Sequence, residues 1–275
     1  MVQQTHIRLN DGVTIPQIGF GVWQVDNGEA PKAVLKAIQS GYRSIDTAAI
    51  YGNEEGVGIG LRDAGVPRDQ LFITTKLWND RQGAKSALQA FDESLKKLRL
   101  EYVDLYLIHW PTPRANLYVE TWKAFAEIKK SGRAKSVGVS NFQVPHLQRL
   151  LDETGIVPSL NQVELHPRFQ QKPLREFHAK HDIATEAWSP LGRGRAMKDP
   201  LIAGIAAEHG KTPAQVTLRW HIQNGLIAIP KSVTPSRIVE NFDLFSFELS
   251  NDDMAKIATL DNARGRIGPD PDLFT

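Results

Sequence analysis

Residues Leu71–Trp110, LFITTKLWNDRQGAKSALQAFDESLKKLRLEYVDLYLIHW, hold two short apolar runs rich in β-branched and aromatic residues, with a helical segment between them. LFITTKLW and VDLYLIHW have the length and composition of buried strands, and Ala84–Leu98 has that of a helix. Strand, helix, strand in this order predicts a parallel pair, because parallel strands need a crossover of about a dozen residues or more.

The same alternation extends both ways from this unit. GFGVW and YRSIDTA precede it; AKSVGVSN, LNQVELHP, IATEAWSP and LIAIPKS follow, making eight strand candidates. Ala30–Ser40, Glu54–Asp63, Ala84–Leu98, Tyr118–Ser131, Val144–Glu153, Leu174–Lys180, Leu201–His209 and Pro213–Gln223 show period-3.6 apolar spacing or plain helix composition. With 275 residues the chain has room for two average domains, yet single barrels of roughly 250 residues are common. Eight units with no linker-like stretch favour an α/β fold: one closed (β/α)8 TIM barrel spanning residues 1–275. THIRLNDGVTIPQIG, with Asn10-Asp11-Gly12 between two alternating runs, predicts an N-terminal β-hairpin over residues 1–16. Two extra C-terminal helices, Ser236–Asn241 and Asn251–Leu260, and a short polar tail complete residues 236–275.

Composition narrows the function. A net charge of +2 and the lack of any block of like charges exclude a nucleic-acid footprint. The chain has no cysteine, which excludes disulfides, thiolate metal sites and a cysteine nucleophile. The start MVQQTHIRLN lacks the features of a signal peptide, and no apolar run approaches the ~20 residues needed to cross a bilayer. A cytoplasmic monomer with no membrane partner is the expectation.

Barrel enzymes carry their chemistry at the C-terminal ends of the strands. Strand two ends at Asp46 and leads to Tyr51; strand three ends at Lys76, followed by Trp78; strand four ends in His109 and Trp110. Strand five ends in Ser140 and Asn141, strand six in Gln162 and Glu164, strand seven in Trp188 and Ser189, strand eight in Lys231 and Ser232. A phenol is a poor acid at neutral pH, and a neighbouring ammonium stabilises its phenolate by roughly 4 kcal/mol at 4 Å in a dielectric of 20. Lys76 is expected to move Tyr51 toward neutrality in this way, with Asp46 holding the ammonium and His109 orienting a substrate oxygen. Such a set protonates a carbonyl oxygen as charge develops on it. No HExxH motif or zinc-spaced ligand cluster is present, so no metal is expected.

Carbonyl reduction requires a hydride donor. IPKSVTPSRIVEN, Ile229–Asn241, supplies the anion site for one: Thr234 and Pro235 open a helix flanked by Lys231 and Arg237, which suits the adenosine 2′-phosphate of NADPH. Gly56, Gly58 and Gly60 are not a dinucleotide loop, since Leu61 breaks G-x-G-x-x-G and the glycines lie in a helical segment. They are expected to permit close packing of that helix on the barrel.

GYRSIDTAAIYGNEEGVG, LFITTKLW, DLYLIHWP, VGVSNF, NQVELHP and IPKSVTPSRIVEN together resemble the aldo-keto reductases, in order and over almost the whole chain. Among the branches the sequence is most similar to the prokaryotic 2,5-diketo-D-gluconate reductases, which also reduce methylglyoxal and other small dicarbonyls. The resemblance implies Asp46, Tyr51, Lys76 and His109 as the catalytic tetrad, with Tyr51 as general acid. It implies that Ser140, Asn141 and Gln162 hold the nicotinamide carboxamide and that Trp188 stacks on its ring, where many members have Tyr. Ser189 and Leu191 would line the pyrophosphate; Lys231, Ser232, Val233 and Arg237 would take the 2′-phosphate, with Glu240 and Asn241 at the adenosine. Trp23, Trp78 and Trp110 would wall the substrate pocket, or serve as plain packing.

The loops PTPRANLY and LGRGRAMKD and the tail RGRIGPDPDLFT are short, which predicts a small, polar and open pocket. Arg193 and Arg195 are either a clamp for a substrate carboxylate or solvated loop residues. The resulting expectation is an NADPH-dependent reductase of small aldehydes, ketones and dicarbonyls. Two readings from other classes compete with it: an NADPH-binding regulatory subunit with little turnover, and a barrel hydrolase using Asp46 and His109 with a metal.

Overall fold

The structure is a computed structural model that describes residues 4–275; residues 1–3, the start of the expected hairpin segment, lie outside the described residues. β1 (His6–Arg8) and β2 (Thr14–Pro16) pair antiparallel, with Ile7 opposite Ile15, as the Asn-Asp-Gly signal predicts. Eight parallel strands follow in the order β3 to β10: β3 (Phe20–Gly21), β4 (Ser44–Asp46), β5 (Phe72–Leu77), β6 (Val103–Ile108), β7 (Ala134–Ser140), β8 (Leu160–Glu164), β9 (Ala184–Trp188) and β10 (Ile227–Ala228). The sheet closes on itself where Ile18 bridges Ala228 in parallel and the Gly19 N–H donates to the Ala228 carbonyl at 2.9 Å. The closing strands are the shortest. Pro230, which has no N–H to give, ends the β10 ladder before Lys231, so Lys231 and Ser232 sit in the loop beyond the strand.

The helices are α1 (Ala30–Gln39), α2 (Glu54–Asp63), α3 (Ala84–Leu98), α4 (Tyr118–Lys130), α5 (Val144–Thr154), α6 (Lys172–Lys180), α7 (Pro200–Glu208), α8 (Pro213–Gln223), α9 (Pro235–Phe242) and α10 (Asn251–Ala258). Their starts follow local chemistry. Thr212 and Gln215 form a reciprocal capping box at α8, Ser250 and Asp253 form another at α10, and Asp199 caps α7 by accepting the Leu201 N–H. Both helices expected after the last strand are present. α9 contacts α8 and α1 and so completes the ring around the barrel, while α10 packs on α7, the additional helix between β9 and β10.

Two apolar regions hold the barrel. The larger lies between strands and helices, around the fully buried Phe20, Tyr42, Phe91, Trp122 and Trp220. The smaller fills the barrel's N-terminal end, where Ile15 and Leu9 of the hairpin segment meet Phe72, Leu105, Leu160 and Ile227 from the strands. The hairpin is a plug: it shuts the bottom of the barrel and leaves the C-terminal mouth as the way in. No helix of the described residues is long and apolar enough to cross a membrane.

The three glycines of α2 do serve close approach, but against α1, the end of α3 and, at Gly56, Asn27 in the loop before α1, rather than against the sheet. A Cβ on Gly60 would come within 2.8 Å of Val34 and 2.9 Å of the Pro31 carbonyl, both on α1. One on Gly58 would run into the Leu98 carbonyl at the end of α3.

Candidate active site

β4 and β5 lie side by side with Asp46 opposite Thr74, which brings Asp46 and Lys76 together just inside the mouth. Lys76 Nζ donates to Asp46 Oδ1 at 2.6 Å and to the Thr47 carbonyl at 2.9 Å, and both side chains are almost wholly buried. A 3-10 turn over Ala49–Tyr51 then carries Tyr51 back over the pair, with Lys76 Nζ 5.2 Å from the centre of its ring. His109, just past the end of β6, meets Tyr51 edge-on at 5.7 Å and Trp78 at 5.2 Å between ring centres. The four side chains expected to act together are therefore adjacent.

Their protonation follows from burial and charge. Burial pulls the Lys76 ammonium down, but Asp46 chiefly, then Tyr51 and Glu186, hold it above its ordinary value and it stays charged. Burial, aided by the Lys76 charge, drives the His109 imidazole well below its ordinary value, so it is neutral. At Tyr51 the outcome differs from expectation. Burial raises the phenol, Lys76 lowers it, Asp46 and Glu186 raise it again, and the group ends above its ordinary value rather than near neutrality. The reason is first the burial of the phenol, which outweighs Lys76, and then Asp46, which offsets part of the Lys76 field.

A cavity of about 980 Å³ opens above these groups, lined at this end by Trp23, Ile50, Trp78, Trp110 and Phe274. The expected polar pocket is instead aromatic. The three tryptophans make most of this wall and the tail completes it, its Phe274 ring lying 4.4 Å from Trp110 and 6.3 Å from Trp78. Glu164 ties that tail down, accepting the N–H groups of Ile267 at 2.6 Å on Oε1 and Gly268 at 2.7 Å on Oε2, with His166 Nε2 3.1 Å from Oε1. Burial raises this carboxyl, but His166 and the two amides outweigh it and keep it below its ordinary value, an ionised clamp.

Along the cavity floor, Asn141 and Gln162 are on the wall, whereas Ser140 is fully buried behind them and spends its hydroxyl on the Gln162 carbonyl at 2.8 Å. Asn141 sits in the left-handed region at φ 64°, where Nδ2 donates to the His109 carbonyl and to Ser140 Oγ, and Oδ1 accepts the Trp188 indole N–H at 2.8 Å with one lone pair to spare. That last bond fixes the plane of Trp188, something a phenol ring lacks the N–H to do. Ser189 and Leu191 continue the wall.

At the far end the cavity is bounded by Lys231, Ser232, Arg237, Glu240 and Asn241. Val233 is half exposed and off the wall. Thr234 occupies the N-cap of α9 and Pro235 its first turn, as expected, but the Thr234 hydroxyl caps nothing; the Thr234 N–H donates to Ser232 Oγ at 3.1 Å. Lys231 and Arg237 are exposed and make no ion pair among the described residues. A helix start with two unpaired cations and no side-chain cap leaves N–H groups and positive charge facing outward, the features that attract an anion. Of the two loop arginines, Arg193 reaches the lip, 5.0 Å above the Trp23 ring, while Arg195 lines a separate small cleft with Asp199. His178 is consumed by Asn161 and Thr185, and no cluster of three metal-ligating residues occurs among the described residues.

Two contributors escape a reading of strand ends. Phe274 lies in a tail with no periodicity, so only folding back reveals it. Glu186 was visible as an acid inside the apolar run IATEAWSP, two residues before Trp188 and so on the same face of β9.

Residues 17–262 match the Aldo/keto reductase family. The chain is 56% identical over 268 residues to an aldo-keto reductase of Mycolicibacterium smegmatis, covering 98% of this chain and 97% of that one. It is 54% identical to methylglyoxal reductase DkgA of Escherichia coli (strain K12), covering 100% of this chain and 99% of that one. The crystal structure of a Gox0644 mutant in complex with NADPH superposes with a TM-score of 0.96 at 56% identity, over 99% of each chain. The chain belongs to the aldo/keto reductase family and is an oxidoreductase of that family.

Proposed function

We propose that this protein reduces small aldehydes, ketones and dicarbonyls of the methylglyoxal and 2,5-diketo-D-gluconate type to alcohols with NADPH, Tyr51 being the general acid. The observation that carries the reading is the buried Asp46–Lys76 pair beneath Tyr51 at one end of a cavity whose other end presents Lys231 and Arg237. The names of relatives at 54% identity support the dicarbonyl class.

The residues present fit the cofactor. Lys231, Ser232 and Arg237 at the uncapped start of α9 would hold its 2′-phosphate, with Glu240 and Asn241 beside the adenosine. Ser189 and Leu191 would line the pyrophosphate, Trp188 the nicotinamide face, and Asn141 and Gln162 its carboxamide. Bound NADPH supplies the hydride that goes to the carbonyl carbon.

The chain's own groups handle the oxygen. His109, neutral because it is buried, donates a hydrogen bond that orients the carbonyl without adding charge. Tyr51, kept protonated by burial, gives its proton to that oxygen as negative charge builds there. The Lys76 ammonium then stabilises the phenolate left behind, and Asp46 holds that ammonium in place. The aromatic wall of Trp23, Trp78, Trp110 and Phe274 keeps water from the reacting atoms.

Tyr51→Phe is expected to bind NADPH as the wild type does, measured by fluorescence titration, and to lose about 10²-fold or more in kcat for methylglyoxal. Full activity in that variant would end the assignment of Tyr51.

A further inference from the structure

Two carboxyl groups and one ammonium are enclosed beneath Tyr51. Lys76 is paired with Asp46 at 2.6 Å, whereas Glu186, 1% exposed, has no ion-pair partner among the described residues. Its contact is with Gln162. One nitrogen, Gln162 Nε2, donates to Glu186 Oε2 at 2.7 Å and to Asp46 Oδ2 at 2.8 Å. A primary amide has two N–H bonds, so both are consumed. Turning the amide end for end would set its oxygen against the Asp46 carboxyl oxygen and break both of these N–H bonds. Oε1 is thereby directed to the cavity that Gln162 lines. Asp46 alone would take one hydrogen and leave the other buried without an acceptor, at a real cost.

We propose that Glu186 is a positioning residue of the reduction: by accepting the second N–H of Gln162 it locks that amide with its oxygen toward the nicotinamide carboxamide, and it keeps Asp46 committed to Lys76. The proposal rests on the NADPH reading above and adds a residue to it.

The charges around Glu186 agree with this role. Asp46 faces it from β4, Lys76 from β5 and Tyr51 from the turn after β4, while Gln162 on β8 is neutral. Burial first, then the Asp46 charge, push the Glu186 carboxyl up to about 8. At neutral pH the set is thus Asp46⁻, Lys76⁺ and a neutral Glu186, with no surplus charge under the phenol. Ionising Glu186 places a second negative charge there and opposes the phenolate that proton transfer creates.

Two variants test this, Glu186→Leu and Glu186→Gln, each compared with the wild type by thermal unfolding, by NADPH titration on tryptophan fluorescence, and by turnover of methylglyoxal across pH. Glu186→Leu is expected to weaken NADPH binding and lower kcat by about tenfold each, with KM for methylglyoxal little changed. Glu186→Gln, whose oxygen accepts the same N–H, is expected to recover most of both losses and to move the alkaline decline of kcat upward from about 8. A stability readout is independent of turnover. The folded carboxyl holds its proton up to about 8 while the unfolded one releases it in the ordinary carboxylate range, so the native state binds more protons between these limits. Wild-type stability relative to Glu186→Gln must therefore fall as pH rises through that window.

Unchanged NADPH affinity and kcat in Glu186→Leu, or a Glu186→Gln variant with the wild type's alkaline limb and a flat stability difference, would overturn the proposal. Absence of NADPH-dependent turnover in the wild type would instead sink the functional reading, and the titration and melts would still judge Glu186.

Discussion

At Tyr51 a competition between burial and a single ammonium decides the chemistry. Burial wins, so the phenol enters the reaction with its proton, and Lys76 acts on the state that follows rather than on the resting one. The same residues make a test of how charge is shared. Removing one partner of a buried ion pair ordinarily costs about 3–5 kcal/mol, because the other is left uncompensated. Asp46→Asn is expected to cost less than that in denaturant unfolding, because Glu186 can ionise beside Lys76 in its place. The double variant Asp46→Asn/Glu186→Gln removes both anions and is expected to cost more than the sum of the single changes, by about 1 kcal/mol or more. Simple additivity would show that the two carboxyl groups do not share the ammonium.

Among the elements, α2 and α9 show how backbone geometry separates structural from functional use of similar-looking sequence. Gly58 lets α2 lie against the end of α3, so Gly58→Ala is expected to destabilise the fold by about 1–3 kcal/mol through overpacking. Activity per folded molecule should be unaltered, which melts and turnover on the same preparation will check. α9 works by its start. Arg237 is exposed and unpaired at the first turn, so Arg237→Ala is expected to weaken NADPH binding by about tenfold, the loss of one charge-assisted contact, and to leave NADH binding unaltered. Equal losses for the two cofactors would remove the 2′-phosphate from this site.

For the whole molecule, the two chain ends divide the barrel's openings. The N-terminal hairpin closes one end with Ile15 and Leu9, and the C-terminal tail narrows the other with Phe274. The tail is held by the Glu164 carboxylate, and Gly268 is required there because a Cβ would meet the Trp188 ring at 2.5 Å. Phe274→Ala is expected to raise KM for aromatic aldehydes by roughly tenfold, an aromatic contact's worth, while KM for methylglyoxal changes little. Steady-state kinetics on the two substrate types gives the comparison.

Much of this molecule is readable along the chain because parallel strands and their crossover helices are local patterns: a buried apolar run, a 3.6-residue spacing, a cap. LFITTKLW through VDLYLIHW specifies a βαβ unit by itself, and repetition of that unit implies the barrel and with it the face where Asp46, Tyr51, Lys76 and His109 must gather. The start of α9 is equally local, since Thr234-Pro235 between Lys231 and Arg237 carries its own helix-opening signal and charge. Packing decided the rest. The sign of the Tyr51 shift depends first on how deeply the phenol is buried and then on Asp46 offsetting part of the Lys76 field; the last aromatic wall of the pocket depends on a tail with no periodicity folding back over the mouth. The locking of Gln162 depends on β4, β8 and β9 bringing Asp46 and Glu186 to one nitrogen. Each is a balance between groups distant in sequence, set by desolvation and contact, and none of the three exists before the barrel closes.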